Sequence, residues 1–188
     1  MKRFAREDLL AFLRAVDRHA PKDATLVIIG GAAAALSFGA PGGTIDIDTA
    51  NSIKALEDAC ASARSESGLR IPVGFASVFD APYEYESRLR RLPLKGLRTL
   101  KVLVPEKHDW ALMKVVRFED KDLAHLKAAA AGVGFELRIF EERFLTEMTH
   151  VLPRERLVAH FLAMIEELFG DPEAARVEKA LRAHKSWK

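Results

Sequence analysis

The sequence predicts an α/β (α+β) protein in which a small mixed β-sheet is flanked by helices and followed by a C-terminal helical region. Short β-branched runs alternate with helical patterns in the first half of the chain. A pair of glycines separates the first of these runs from a helix, and from residue 106 onward the apolar spacing is helical nearly to the end. These observations predict two domains, an α/β core over residues 1–105 and a helical region over residues 106–188 packed on it.

The elements of the first half are predicted from apolar spacing and from the residues that interrupt it. Apolar side chains at helical spacing indicate the first helix, which Pro21 ends, and a β-branched run that follows it indicates a buried strand. The loop 39–43 contains Pro41 and separates the second helix from the second strand. In chain order the prediction is helix 7–19, strand 25–29, helix 32–38, strand 44–48, helix 52–65, strand 71–79, a segment 83–92 that fits either a strand or a short helix, and strand 97–104.

The second half is predicted to be helical throughout. Pro105 closes the last strand, and apolar positions then recur every three or four residues. Such spacing places the apolar side chains on one face of each helix. The predicted helices are 106–117, 120–131, 136–148, 154–169 and 172–185.

Composition and charge limit the class of protein. The chain has 188 residues with 49% apolar side chains, enough for a substantial core, and a net charge of only +2. Its only cysteine, Cys60, excludes an intrachain disulfide. No apolar run approaches the roughly 20 residues that span a bilayer, and the first residues lack the apolar centre of a signal peptide. We therefore expect a soluble, cytoplasmic protein without a membrane partner.

Basic residues are concentrated in one segment. Residues 88–101 contain six lysines and arginines and no acidic residue. A local positive field attracts phosphates even when the net charge is small, so an RNA-binding role is predicted. The alternative is a solvated sheet edge that discourages aggregation. The RNA-binding candidates are Arg88, Arg90, Arg91, Lys95 and Arg98.

The strongest chemical signal is a glycine turn followed by two aspartates on one strand. Gly30 and Gly31 open a helix of small residues, and Asp46 and Asp48 follow on the next predicted strand. Because side chains alternate along a strand, the two carboxylates point to the same face, with Cα atoms roughly 6.5–7 Å apart. Such a pair can converge on two divalent ions about 3.5–4 Å apart, an arrangement used for phosphoryl and nucleotidyl transfer.

A dinucleotide-binding fold is the first alternative for a glycine turn between a strand and a helix. The third glycine of that fingerprint is missing, and the next strand carries two acids instead of one ribose-binding acid. The chain also lacks the Gly-Lys-Ser/Thr of a P-loop. Both nucleotide-binding motifs are therefore disfavoured.

Two motifs together resemble a known family. The Gly30-Gly31 turn, the helix after it and the Thr44-Ile45-Asp46-Ile47-Asp48 strand resemble the minimal nucleotidyltransferase fold of the polymerase β superfamily. The segment 109–117, with Leu112, Lys114 and Arg117, and the following Lys121-Asp122-Leu123 are similar to a segment of abortive-infection-type nucleotidyltransferases, many of them toxins of toxin–antitoxin pairs. The resemblance covers roughly residues 25–127.

The resemblance implies a metal-dependent transfer of NMP from an NTP to an acceptor hydroxyl, with Mg²⁺ or Mn²⁺ as cofactor. The 3′ end of tRNA and a cognate antitoxin are the partners that it suggests. The implied metal ligands are Asp46 and Asp48, which with Lys114 and Asp122 also form the implied catalytic set. Gly30, Gly31, Thr44, Lys114 and Arg117 form the implied nucleotide-binding set, although Thr44 also suits a purely structural role in the strand.

Departures from the family pattern leave other interpretations open. A third carboxylate on a neighbouring strand is usual in active members, and the nearest candidates, Asp80, Glu84 and Glu86, are not at an obvious strand centre. A catalytically degenerate relative that binds a nucleotide, RNA or a protein is therefore the alternative. A transferase of the antibiotic-modifying kind would need an acidic pocket, against which the local basic charge argues.

Overall fold

The computed structural model describes residues 2–184 and residue 187 and divides the chain into two compact units. The first unit comprises residues 1–78 and 89–105, and the second comprises residues 79–88 and 106–188. Segment 79–88 thus groups with the second half of the chain. The predicted domains 1–105 and 106–188 stay a prediction.

The first unit contains three helices and five short strands within its described residues. The helices are α1 (Arg6–His19), α2 (Gly30–Ser37) and α3 (Glu57–Ser67), with a 3₁₀ turn at Lys54–Leu56. The strands are β1 (Thr25–Val27), β2 (Ile47–Thr49), β3 (Val73–Phe75), β4 (Arg90–Arg91) and β5 (Lys101–Val104).

The strands form two small sheets joined by backbone hydrogen bonds. One sheet has the order β1-β5-β4, with β1 parallel and β4 antiparallel to β5, and the other pairs β2 with β3 in parallel. The amide of Ile29 donates to the carbonyl of Asp48 at 2.9 Å, and the amide of Ala50 donates to that of Val27 at 2.8 Å. These bonds place β1 beside β2.

The core of the first unit lies between the sheets and the helices. From α1, Leu9, Phe12, Leu13 and Val16 are almost completely buried, and α1 contacts α3. The four alanines of α2 are also buried, which explains why this helix consists of small residues. Larger side chains would not fit without displacing their neighbours.

The second strand begins later than predicted. Thr44 does not belong to β2, because it forms an isolated antiparallel bridge with Phe4 in which both amides donate to the opposite carbonyl. The second strand is therefore Ile47–Thr49 instead of 44–48, so it carries Asp48, and Asp46 directly precedes it. The N-terminal segment holds Thr44 in place ahead of the strand.

The last strand of the first unit is also shorter than predicted, because Asp17 binds the segment before it. The carboxylate of Asp17, on α1, accepts hydrogen bonds from the amides of Arg98, Thr99 and Leu100 at 2.6–3.1 Å. These amides point to a side chain instead of to a neighbouring strand. Residues 97–100 are therefore irregular, and β5 begins at Lys101.

Replacing Asp17 by alanine is expected to destabilise the protein by on the order of 3 kcal/mol, because three amides would lose a charged acceptor. Asp17→Asn keeps one carbonyl oxygen and should cost less, so the pair of variants separates hydrogen bonding from simple truncation. Urea unfolding curves measure both changes. Equal losses for the two variants would contradict this account.

The same carboxylate predicts a dependence of stability on pH. Burial alone would raise the pKa of Asp17, but the amides of Leu100, Arg98 and Thr99 hold it below its ordinary value. A lowered folded-state pKa means that the contribution is complete above the unfolded pKa of about 4 and is lost as the pH falls through the folded value. Wild-type stability should therefore fall more steeply below about pH 4 than that of Asp17→Asn.

The described part of the second unit is helical. Its helices are α4 (Lys107–Val115), α5 (Asp120–Val133), α6 (Leu137–Glu147), α7 (Arg154–Phe169) and α8 (Asp171–Ala183), preceded in sequence by a 3₁₀ turn at Tyr85–Arg88. Helix α4 contacts α5, α6 and α7 and contributes the fully buried Trp110 to the core. Residue 185, at which the last predicted helix ends, lies outside the described residues.

The mixed α/β class with a small mixed sheet and a helical C-terminal region is confirmed. The segment 83–92, which fitted either a strand or a short helix, contains both a 3₁₀ turn and the two residues of β4. Among the described residues, no helix combines the length and the apolar character that crossing a membrane would require.

Candidate functional site

One aspartate of the predicted metal site lies on β2 and the other directly precedes it. Asp48 is the central residue of Ile47–Thr49, whereas Asp46 lies in the bend before the strand. Ile47 and Thr49 are completely buried, and Asp46 and Asp48 are partly exposed. The two-residue period of the strand explains why Asp48 faces away from the core. The prediction that one strand carries both aspartates is therefore wrong.

The first glycine of the turn lies against Asp48. A Cβ atom placed on Gly30 would be 3.2 Å from Oδ2 of Asp48, closer than an ordinary van der Waals contact. Gly30 also has φ +63°, in the left-handed region that favours glycine. Both the space and the backbone conformation require glycine where α2 begins.

The second glycine lies against Thr44, which in turn contacts Asp46. A Cβ atom on Gly31 would be 2.9 Å from Oγ1 of Thr44. That hydroxyl donates a long hydrogen bond of 3.4 Å to Oδ1 of Asp46. The start of α2 therefore lies directly against Asp48 at Gly30, and Thr44 links Gly31 to Asp46.

Replacing Gly31 by alanine is expected to destabilise the first unit by about 1–2 kcal/mol, the usual cost of overpacking. Alanine would otherwise favour the helix, so a loss would identify the clash with Thr44 as its cause. Adding Thr44→Ala should restore part of the loss, and Gly74→Ala, where a Cβ atom meets nothing within 4 Å, is the matched control. Urea unfolding measures the cycle, and a stabilised Gly31→Ala would refute the close approach.

The charge and geometry of this site suit an anion bound through a cation. The N-terminus of α2 carries the positive end of a helix dipole and favours phosphates. Ile29, which precedes the helix, has no side-chain oxygen to accept from its first amides. The two carboxylates would repel a triphosphate unless a cation neutralised them. Mg²⁺ is commonly held by one or two carboxylates together with substrate phosphates, and Asp46 and Asp48 fit that donor set.

The third carboxylate has no counterpart beside Asp48 on the neighbouring strand. Gly74 of β3 is the residue in register with Asp48, and the described residues contain no group of three metal-ligating side chains. The three candidates from the sequence belong to segment 79–88 of the second unit. They are Asp80, Glu84 and Glu86.

Three further predicted site residues form one cluster in the second unit. The ammonium of Lys114 lies 2.7 Å from Oδ1 of Asp122, and both side chains are almost fully buried. Arg117 donates from Nε and Nη2 to the same carboxylate, both at 3.1 Å. Lys114 also lies over the ring of Trp110, 5.3 Å from its centroid. The cluster joins the end of α4 to the start of α5.

Asp122 has a clear structural role in this cluster. As the third residue of α5 it accepts a hydrogen bond from the amide of Glu119, the residue that precedes the helix. Burial alone would raise the pKa of Asp122, but Arg117 and Lys114 hold it below its ordinary value. The carboxylate is therefore ionised at neutral pH. The catalytic role implied for Lys114 and Asp122 and the phosphate contact implied for Arg117 stay predictions.

The basic segment 88–101 divides between the two units. The guanidinium of Arg88 donates to Asp109 at 2.8 and 2.9 Å and to Glu147 at 2.6 and 3.0 Å, within the second unit. Its charge is thus balanced internally. The other candidates lie in the first unit, are exposed and keep their predicted RNA-binding role as a prediction: Arg90, Arg91, Lys95 and Arg98.

Sequence reasoning missed a buried network of charges around Asp109. This carboxylate, at the start of α4, accepts from Arg88 and also from Arg143 of α6 at 2.9 Å. Arg143 also contacts Glu106, which caps α4 by accepting from the amide of His108. Burial would raise the pKa of Glu106, but bonds from His108 and Arg143 lower it to about 2. The one local sign of this network in the sequence was Glu106, the acidic residue that directly precedes α4.

Comparison with known proteins supplies an independent assignment. A search of curated proteins and a search of solved structures both found no match. Residues 7–167 match the family described as "Nucleotidyltransferase of unknown function (DUF6036)". This match includes the glycine turn, Asp46, Asp48 and the Lys114–Asp122 cluster, and it covers most of the chain. The chain therefore belongs to this family of nucleotidyltransferases of unknown function.

Proposed function

We propose that this protein transfers NMP from an NTP to an acceptor hydroxyl, with release of pyrophosphate, using Asp46 and Asp48 to hold Mg²⁺ or Mn²⁺. The observation that carries the proposal is the close approach of Gly30 to the carboxylate of Asp48, together with Thr44, which links Gly31 to Asp46. The family match supports the same class of reaction. The divalent ion, when bound, would supply charge neutralisation at the phosphates and an activated acceptor oxygen.

The roles of the chain's own residues follow from their positions. Gly30 and Gly31 let the triphosphate approach the amides at the start of α2, where the helix dipole favours an anion. Thr44 positions Asp46 through its hydroxyl. Nucleotidyl transfer requires mainly positioning and charge stabilisation, so this small set of groups is sufficient for the chemistry.

The acceptor is the finer part of the proposal. The resemblance to abortive-infection-type proteins suggests the 3′ end of tRNA as acceptor and a toxin whose activity a cognate antitoxin restrains. Transfer onto a protein hydroxyl uses the same chemistry and is tested beside it. Fold and family alone do not define an acceptor.

A catalytically degenerate binding protein is the second candidate, favoured by one specific observation. The residue in register with Asp48 on the neighbouring strand is Gly74, where a third carboxylate would complete the family's usual set. Such a protein would hold its nucleotide, RNA or protein partner even in a chelator. An enzyme would need the metal for NTP binding.

The test is transfer of label from α-labelled NTPs, each base separately, onto total tRNA and onto the protein itself. Reactions contain Mg²⁺ or Mn²⁺, and Asp46→Ala/Asp48→Ala, checked for folding, runs alongside. Label with wild type and none with the variant is the expected result, and it identifies both the nucleotide and the class of acceptor. Label that persists in the variant would refute the assignment of the two aspartates.

A further inference from the structure

A small open groove lies in the first unit, in the segment between β4 and β5. It has a volume of about 310 Å³, at the lower end of the roughly 300–1,000 Å³ of small-molecule pockets. Its lining consists mainly of aliphatic side chains, with one arginine at its edge. The lining residues are Arg91, Leu92, Pro93, Leu94, Leu97 and Leu100.

The groove adjoins the edge of a sheet. Strand β4 is the last strand in the order β1-β5-β4 and pairs only with β5 among the described residues. The amide of Leu92 extends this pairing by donating to Val102 at 2.9 Å. The opposite side of β4 therefore presents a short strand edge, which an extended peptide can lengthen by adding one more strand. Pro93 limits that edge to a few residues, because it has no amide hydrogen to donate.

The segment that forms the groove carries four exposed basic side chains, called the rim below, of which Arg91 lines the groove itself. Among residues 2–184 and residue 187, none of the four forms an ion pair, in contrast to Lys101, which pairs with Asp23. Arg98 lies close enough to Asp17 to help lower the pKa of that carboxyl. Unpaired charges of one sign attract a partner of the opposite sign. These side chains belong to Arg90, Arg91, Lys95 and Arg98.

We propose that this groove binds an acidic peptide segment of a partner protein, whose apolar side chain enters the leucine lining while its backbone pairs with β4. The acidic side chains would lie along the rim formed by Arg90, Arg91, Lys95 and Arg98. The lining favours a peptide over nucleic acid because it contains no aromatic side chain on which a base could stack. Phosphate contacts alone would use the rim and leave the leucine side chains of the groove uncovered. The proposal does not depend on nucleotidyl transfer.

Fluorescence anisotropy tests the proposal with three labelled probes. They are a short peptide of alternating glutamate and leucine, the matching peptide of glutamate and serine, and a single-stranded RNA of similar charge. Variants Arg90→Glu/Arg91→Glu and Leu94→Ser alter the rim and the lining. Lys22→Glu/Arg70→Glu makes the same change in net charge at exposed positions outside the groove. Thermal melting checks that each variant is folded.

We expect the wild-type protein to bind the glutamate–leucine peptide. Both groove variants should weaken this binding by about tenfold or more, and the control variant should leave it unchanged. Binding of the glutamate–serine peptide should be weaker by a similar factor. Amide shifts of residues 90–92 and of Leu94 in an NMR titration should locate the peptide. If the RNA binds more tightly than the peptide, and Leu94→Ser does not change its affinity, the proposal is overturned in favour of a phosphate-binding rim. The absence of peptide binding would also overturn it.

Discussion

Replacing Asp48 by asparagine is expected to reduce the rate of nucleotidyl transfer by about 1,000-fold. The change keeps the size of the side chain and removes the charge that would hold the cation. A catalytic metal ion contributes several kcal/mol to transition-state stabilisation, and each ~1.4 kcal/mol corresponds to a factor of ten in rate. Single-turnover transfer of label from an α-labelled NTP measures the effect.

Two controls make the Asp48→Asn result specific. Asp58→Asn removes a carboxylate from the exposed face of α3 in the same unit and should leave the rate unchanged. Urea unfolding should give Asp48→Asn a stability close to that of wild type, because Asp48 is only partly buried. A folded Asp48→Asn protein with full activity would exclude Asp48 as a metal ligand.

Replacing Asp122 by alanine is expected to destabilise the second unit by about 3–5 kcal/mol, the cost of leaving one partner of a buried ion pair alone. Lys114 would lose its ion-pair partner in a site that is only 6% exposed, where burial already holds its pKa below the ordinary value. The lowered pKa of Asp122 adds a dependence on pH. The contribution of the pair is complete above the unfolded carboxyl pKa of about 4 and is lost as the pH falls through the folded value. Urea unfolding at several pH values measures both effects.

The double variant Lys114→Met/Asp122→Leu separates stability from catalysis. Replacing both members of a buried pair by apolar residues is often neutral for stability, so the double variant should recover most of the loss of Asp122→Ala. If the double variant loses as much free energy of unfolding as the two single variants, Lys114→Met and Asp122→Leu, lose together, the pairing is contradicted. If Lys114 also contacts a phosphate, the double variant should be folded and should still bind NTP more weakly than wild type.

The contact of the glycine turn with the aspartates could be anticipated because its signals are local. Two glycines at a strand-to-helix boundary and two aspartates one residue apart have short-range geometric consequences. The partner of Asp48 could not be anticipated in the same way. Gly74 lies opposite it only because β2 and β3 pair in one particular register, and register depends on packing across the whole sheet.

Long-range side-chain contacts account for what sequence reasoning missed. Asp17 binds amides 81–83 residues further along the chain, which shortens the last strand. The sequence places Arg88 among the RNA-binding candidates, yet it donates to Asp109 and Glu147 at separations of 21 and 59 residues. Apolar spacing describes one element at a time. It carries no information about which distant carboxylate a buried amide or guanidinium will find.

The most direct test of the central claim is calorimetric titration of the protein with each NTP, in Mg²⁺ and in chelator, for wild type and Asp46→Asn/Asp48→Asn. The account predicts NTP binding by wild type that requires Mg²⁺ and is lost in the variant, because the carboxylates of Asp46 and Asp48 hold the nucleotide through the cation. NTP binding of equal strength in chelator, or equal binding by the variant, would contradict it.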